Sequence, residues 1–326
     1  MIKPYATILY NGGIQEQCRM WKRGLESLGH EVICYDSWSN IDWIKVDIVL
    51  FMWYGKLLVD YIRLLKRFDN LKYAIAPIID YTGGMFRFII RSRFYGSLKL
   101  RYYKQFHDFY AIRNEFSCFL VRSEHEKRFL TVGFKVDESK VHIVPLSYRI
   151  SVPKIDFSEK EDFCLHVSRL SDSGKNVERL IDAAKKYGFS LKLAGGLNGE
   201  KELDWLHSKI GGCPNIEYVG RPNDAELLSL YAKAKVFALP SLVEGVGMVA
   251  MEAAIYGCEI VLTKLGAPKE YYKGRALLVD PLSVDEIGNS VLKAMNGYSQ
   301  PELRDYMIQN YSQEQCLRML VDALMQ

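Results

Sequence analysis

Short apolar runs of strand length alternate with helix-length amphipathic segments, and this alternation limits the fold more than any other feature. The runs YATILY (5–10), EVICY (31–35), VDIVLFMW (46–53), LKYAIAPII (71–79), SCFLVRS (117–123) and KVHIVPL (140–146) are rich in β-branched and aromatic residues. The pattern then restarts with DFCLHVSRL (162–170), FSLKLAGG (189–196), NIEYVG (215–220), KVFALPS (235–241), CEIVLT (258–263) and RALLVD (275–280). Helical patterns fill the gaps, over 14–28, 176–187, 200–210, 224–234, 248–257 and 283–296. Strand–helix alternation of this kind predicts parallel sheets covered by helices on both faces. Two passes of it predict two doubly wound α/β domains, 1–148 and 149–300, with Pro145 and Pro153 bracketing the linker. The segment 301–326 reads as a terminal helix that packs back toward the first domain.

The chain has 326 residues, which suits two domains of roughly 150 each. No apolar run approaches the roughly 20 residues of a membrane span, and the start MIKPYATILY has no signal-peptide pattern. The seven cysteines, 18, 34, 118, 164, 213, 258 and 316, are scattered and contain no C-x-x-C, so they read as reduced core thiols. The six histidines contain no H-E-x-x-H, and no metal site is expected. Net charge is +4, but residues 1–150 carry +8 and the remainder −4. The first half is therefore expected to meet something anionic.

Ligands of open parallel sheets bind outside the carboxyl ends of the strands. The loops in those positions are NGG (11–13), SRLSDSGKN (168–176), AGG (194–196), VGRP (219–222) and PSLVEGVG (240–247). Arg169 and Lys175 are six residues apart, ahead of a helix. They either clamp a diphosphate, with helix N–H groups behind them, or are ordinary solvated charges. In EGVGMVAMEA, Glu244 and Glu252 are eight apart, with Gly245 and Gly247 between them. The glycines allow close approach of a ligand, and the helix start suits a phosphate. Glu244 either accepts hydrogen bonds from a polyol or opens the helix as a cap. Glu252 either reaches ribose hydroxyls or pairs with an internal cation. No G-x-G-x-x-G follows the first strand, and no P-loop motif occurs anywhere.

These residues resemble a known family. PSLVEGVGMVAMEAAIYG is similar to the E-x7-E segment of the retaining GT-B glycosyltransferases, the glycosyltransferase group 1 or family 4-like enzymes. HVSRLSDSGKNVERLIDAA, KLAGG, NIEYVGRPNDAELLSLYAKAKVFALPS, GAPKEYY and RALLVDPLSVDEI follow in the family's order, and NGGIQEQ resembles its opening loop. The resemblance implies two Rossmann-like domains facing a central cleft, with a nucleotide-sugar donor on the second and a glycan or lipid-linked acceptor on the first. It implies transfer with retention of configuration, without a metal or other cofactor, in cell-surface polysaccharide or glycolipid synthesis. Arg169 and Lys175 would hold the donor diphosphate and stabilise the leaving charge. Glu252 would hold the ribose and Glu244 the donor sugar, with Gly245, Val246, Gly247 and Met248 beside the distal phosphate. Gly220 and Arg221 would also line the donor site, and Gly12 and Gly13 would close over the phosphate.

Two positions depart from the family. Val246 replaces the usual aromatic of E-G-F-G. Asp80 stands where many members have His; it either takes over the polar contact to the donor sugar, as a catalytic group, or caps the next segment. An inactive nucleotide-sugar-binding subunit and a nucleotide-sugar isomerase of the same architecture are the alternative readings.

The segment 83–106, GGMFRFIIRSRFYGSLKLRYYKQF, has six basic residues, seven aromatics and no acid. It reads either as a surface helix with arginines lying over apolar packing or as a patch for an anionic membrane surface. Nucleic acid is not the expected partner. The expected location is cytoplasmic, peripheral at the inner face of the membrane.

Overall fold

The computed structural model describes residues 13–36, 40–55, 57–94 and 104–326. YATILY, Gly12 and the stretch 95–103 lie outside the described residues. The chain divides into two compact units, Met1–Ser147 with Gln313–Gln326, and Tyr148–Ser312.

In the first unit the described strands are β1 (Ile48–Met52), β2 (Lys72–Ala76), β3 (Cys118–Val121) and β4 (Val141–Ile143), all parallel in the order β1-β2-β3-β4. The described helices are α1 (Gly13–Ser27), α2 (Leu58–Leu65), α3 (Met85–Arg93), α4 (Lys104–Ile112) and α5 (Glu124–Arg128). One sheet face presents Val49, Phe51, Tyr73, Ile75 and Phe119 to Leu58 and Ile62 of α2, Phe88 of α3 and Phe109 of α4. The alternate residues, Leu50, Met52, Ala74 and Leu120, meet Cys18, Trp21 and Leu25 of α1. Leu320 and Ala323 of the last helix join that second layer. Burial on both faces is why these strands read as nearly unbroken apolar runs.

The second unit contains β5 (Glu161–Val167), α6 (Val177–Tyr187), β6 (Leu191–Ala194), α7 (Glu200–Ile210), β7 (Ile216–Gly220), α8 (Asp224–Lys233), β8 (Ala234–Leu239), α9 (Met248–Ile255), β9 (Glu259–Thr263), α10 (Pro268–Tyr272), β10 (Leu277–Val279), α11 (Val284–Met295) and α12 (Leu303–Asn310). Its six parallel strands run β10-β9-β8-β5-β6-β7. The chain winds from β5 outward to β7, then returns to start again at β8 on the other side of β5. That reversal makes the carboxyl ends of β5 and β8 the topological switch point. One face is filled by Leu180 and Ile181 of α6, Leu206 of α7 and Ile287 and Val291 of α11, packed on Leu191, Val236 and Val261. Local signals set the helix ends: Asn223 and Glu226 form a reciprocal capping box on α8, and Gly188 ends α6 at φ 74°.

Two expectations differ from the structure. EVICY forms no strand. The segment 301–326 is two helices: α12 belongs to the second unit, and α13 (Gln313–Met325) packs in the first, against α1. All seven cysteines are free thiols.

Candidate active site

The loops after β5 and β8 are stitched to each other by backbone and amide hydrogen bonds. The N–H groups of Leu242 and Val243 donate to the Gly174 carbonyl at 2.8 and 3.3 Å. Asn176, buried and left-handed at φ 61°, donates from Nδ2 to the carbonyls of Pro240 at 2.8 Å and Pro281 at 2.6 Å. Across this seam Lys175 Nζ donates to Glu244 Oε2 at 2.9 Å, and the Ser241 hydroxyl donates to the same oxygen at 2.9 Å. Two of the residues singled out in the sequence are thus brought into direct contact although 69 positions separate them.

The loops after β6 and β7 are joined to each other and to the end of β5. The Gly195 N–H donates to the Gly220 carbonyl at 2.8 Å, which joins AGG to VGRP, and Arg221 is exposed beside them. A Cβ on Gly195 would lie 1.7 Å from the Ser168 carbonyl oxygen, so only glycine fits between the ends of β5 and β6. Arg169 is exposed on the β5 loop. The Asn198 N–H and the Ser171 hydroxyl hold the Glu202 carboxyl below its ordinary value, with Arg169 adding to the effect.

Gly247 starts α9 at φ 72°, and no side chain caps that helix end. The Tyr272 hydroxyl fixes the turn by donating to the Gly247 carbonyl at 3.1 Å. Gly245 and Met248 are half-buried, whereas Val246 is 3% exposed and faces the core. Glu252 is completely buried. Its carboxylate is held by Arg149, from Nε to Oε1 at 2.6 Å and from Nη2 to Oε2 at 2.9 Å. The internal ion pair left open by the sequence is the arrangement found here.

Beneath the seam lies His166, fully buried at the end of β5. Its Nδ1 is 2.8 Å from the Ala238 carbonyl, which can only accept, so Nδ1 carries the proton and Nε2 accepts from the Ser168 hydroxyl at 2.7 Å. Burial pushes this imidazole down to about 4; the Ala238 carbonyl opposes that shift and Lys175 adds to it.

In the first unit, Gly13 is exposed as the first residue of α1. Asp80 follows β2 and receives a hydrogen bond from Arg122 Nη2. Arg122 also binds Glu126, with Nε to Oε1 at 2.8 Å. Glu126 in turn accepts from the N–H groups of Ile79 at 2.9 Å and Arg122 at 2.7 Å. Just before this loop, Ile78 sits at φ 57°, a strained conformation for a β-branched residue. Asp80 is therefore one member of a carboxylate–guanidinium–carboxylate chain. Burial works against the Arg122 charge, but Asp80 and Glu126 outweigh it and raise its pKa. Among the described residues no group of three or more His, Cys, Asp and Glu is arranged to hold a metal, and no helix is long and apolar enough to cross a membrane.

The sequence analysis missed Arg149, the His166–Ser168 pair and the Arg122–Glu126 pair. Arg149 pairs with a residue 103 positions away, with no local pattern to signal it; the other two pairs are only two and four residues apart, and what the sequence does not show is that the fold buries His166 and Arg122.

A doubly wound α/β sheet whose switch-point loops carry two cations, a carboxylate and an uncapped helix start is a Rossmann-like architecture. The chain belongs to the family Glycosyl transferases group 1, which matches residues 148–314. It is 25% identical over 174 residues to the O-antigen chain mannosyltransferase B of Escherichia coli, covering 50% of this chain and 45% of that protein. It is 29% identical over 178 residues to the O-antigen biosynthesis glycosyltransferase WbnH of Escherichia coli, covering 54% and 49%. The chain thus spans about half the length of the curated relatives it matches. Its α/β architecture with two parallel sheets is that of solved GT-B glycosyltransferases. The glycosyltransferase from Rickettsia africae ESF-5 superposes with a TM-score of 0.73 at 13% identity, over 98% of this chain and 96% of that one.

Proposed function

We propose that this protein is a retaining, metal-independent glycosyltransferase. It moves a sugar from a nucleoside-diphosphate sugar to a glycan or lipid-linked acceptor in cell-surface polysaccharide or glycolipid synthesis. The observation that carries this reading is the Lys175–Glu244 contact of 2.9 Å at the switch point, beside the uncapped start of α9. A diphosphate offers Lys175 a stronger anionic partner than a single carboxylate, and Arg169 adds an exposed guanidinium on the same loop. Glu244 then accepts from hydroxyls of the donor sugar. As the bond from the anomeric carbon to the phosphate oxygen breaks, charge develops on the diphosphate. Lys175, Arg169 and the N–H groups opening α9 stabilise it. The acceptor hydroxyl forms the new bond on the same face of the sugar and passes its proton to the departing phosphate oxygen.

The relatives named for O-antigen synthesis support a bacterial surface glycan as acceptor. A membrane-side acceptor is also supported by α3, whose Phe86 is 78% exposed beside the exposed Arg87. Only part of this segment serves such a role. Phe88 is fully buried, and Arg93 lies 3.6 Å over the Tyr110 ring while donating to the Gly133 carbonyl at 3.0 Å.

The test is titration with UDP, GDP and ADP in a metal chelator, followed by transfer from the matching sugar nucleotides to candidate acceptors. NMR would give the anomeric configuration of the product. Binding without metal and a product that keeps the donor's configuration are expected. An inverted product, or activity abolished by the chelator, would overturn the retaining or metal-independent part. Binding with no transfer to any acceptor would leave an inactive sugar-nucleotide-binding protein. Conversion of the donor with no acceptor present would make it an isomerase.

A further inference from the structure

Glu252 has no exposed surface, and a single guanidinium occupies both of its carboxylate oxygens. The two partners are unequally placed: the Arg149 side chain is 29% exposed and that of Glu252 is 0% exposed. Arg149 is therefore the solvent-side member, and a ligand reaches the carboxylate only when Arg149 gives way. The geometry is specific. Two coplanar N–H donors, at 2.6 and 2.9 Å, satisfy the two oxygens in the way two vicinal hydroxyls would.

A second observation concerns a group that feels the charge of this pair. The Tyr231 hydroxyl is fully buried and has no hydrogen-bond partner among the described residues. Burial first, and then the Glu252 charge, push its pKa far up, while Arg149 acts against them. An orphan buried donor in the field of an ion pair marks a network that is not completed by the protein alone.

We infer that Arg149 is a resident substitute for a ribose 2′,3′-diol on Glu252, and so a specificity-determining residue for the nucleotide. A nucleotide with both hydroxyls exchanges two O–H donors for the two N–H donors of Arg149, whose guanidinium turns to its solvent side. A nucleotide lacking them leaves Arg149 in place. This rests on the donor-site reading given above.

The exchange has a measurable consequence. In the wild type the diol replaces donors that are already there, so its presence changes affinity little. Without Arg149 the buried carboxylate is unpaired in the free protein, and the diol becomes its only pair of donors. The experiment compares each of UDP, GDP and ADP with its 2′,3′-dideoxy form by calorimetry, on the wild type and on Arg149→Met. The preference for the diol is expected to be several-fold in the wild type and at least ~10-fold larger in the variant. An unchanged preference would overturn the inference and leave the donor site standing. If the wild type binds none of the three nucleotides, the donor-site reading falls and this inference falls with it. Arg149→Met also threatens folding, so a second measurement uses the wild type alone. The Arg149 Nε–H resonance, assigned through its own side-chain carbons, is expected to shift with the ribonucleotide and stay still with the dideoxy form. The same shift with both, or with neither, overturns the inference.

Discussion

Lys175 and Glu244 meet at 2.9 Å across the seam between the loops after β5 and β8, with side chains 26% and 10% exposed. On the proposed reading Lys175 has two competing anionic partners, Glu244 in the free protein and a diphosphate in the donor complex. Lys175→Met removes a charge-assisted hydrogen bond of about 1.5–3 kcal/mol. It should weaken nucleoside-diphosphate binding by roughly 10- to 100-fold. Glu244→Gln frees Lys175 from its competitor, so nucleotide affinity should hold or improve while the transfer rate falls. Calorimetry with a single-turnover transfer assay checks both; equal loss of affinity in the two variants would refute the competition.

Gly195 is the tightest point between the ends of β5 and β6. A Cβ there would come within 1.7 Å of the Ser168 carbonyl at φ 148°, whereas one on Gly196 would meet nothing closer than 3.7 Å. Gly195→Ala must therefore push the ends of β5 and β6 apart. We expect a loss of about 3 kcal/mol or more, since overpacking and backbone strain act together. Gly196→Ala should stay within about 1 kcal/mol of the wild type. Urea denaturation of the two variants separates a steric requirement from a general intolerance of this loop.

How much of this was legible in the sequence depends on whether the signal is local. The second-unit strands were readable because both faces are buried, so β8 and β9 are apolar almost throughout. EVICY is also rich in β-branched and aromatic residues, yet it forms no strand and none of its residues is buried; composition does not specify the neighbouring ladder that a strand requires. The break at Tyr311 and Ser312, which separates α12 from α13, has no glycine or proline, and its one local signal is Ser312 three residues before Gln315. Among the site residues, loop position identified Lys175 and Glu244. Nothing local could pair Glu252 with Arg149, which is 103 positions earlier, or Asp80 with Arg122, which is 42 later.

His166 makes the second unit sensitive to acid. Burial holds its folded pKa near 4, below the ordinary 6.5, so the unfolded chain takes up a proton that the folded protein refuses. The stability it contributes is present above pH 6.5 and is lost as pH falls from 6.5 toward 4. The slope should amount to about 3 kcal/mol across that window. His166→Gln keeps a donor and an acceptor but does not titrate, so its unfolding free energy should fall less over the same range. Denaturant titrations at pH 7, 6 and 5 give the comparison, and identical slopes in the two proteins would remove His166 as the cause.

The Asp80–Arg122–Glu126 chain should respond unequally to loss of its members. Arg122 and Glu126 have side chains 9% and 2% exposed, while that of Asp80 is 38% exposed. Arg122→Met leaves the Glu126 carboxylate buried without a counter-charge, at a cost of about 3–5 kcal/mol. Asp80→Asn keeps the Arg122–Glu126 pair and, being at a solvated position, should cost under about 1 kcal/mol. Should Asp80 touch the donor sugar, Asp80→Asn would lower the transfer rate at nearly unchanged stability. A variant that keeps full activity would confine Asp80 to anchoring the loop after β2.

The exposed edge of α3 gives the membrane reading its sharpest test. Phe86 is 78% exposed and Phe94 60%, at opposite ends of a helix whose Phe88 is wholly buried. Two aromatic side chains entering a bilayer interface are each worth up to about 1.5–3 kcal/mol. Phe86→Ser with Phe94→Ser should therefore lower partitioning onto anionic vesicles by at least ~10-fold without touching the core. The remaining attraction is electrostatic and should fall steeply as salt is raised from 50 to 200 mM, conditions chosen because screening is strong over that span. Co-sedimentation with vesicles containing phosphatidylglycerol measures both effects. Wild-type protein that fails to sediment at low salt would show that the exposed phenylalanines serve something other than a lipid surface. Wild-type binding that survives the double substitution would instead locate the contact elsewhere in the basic first half of the chain.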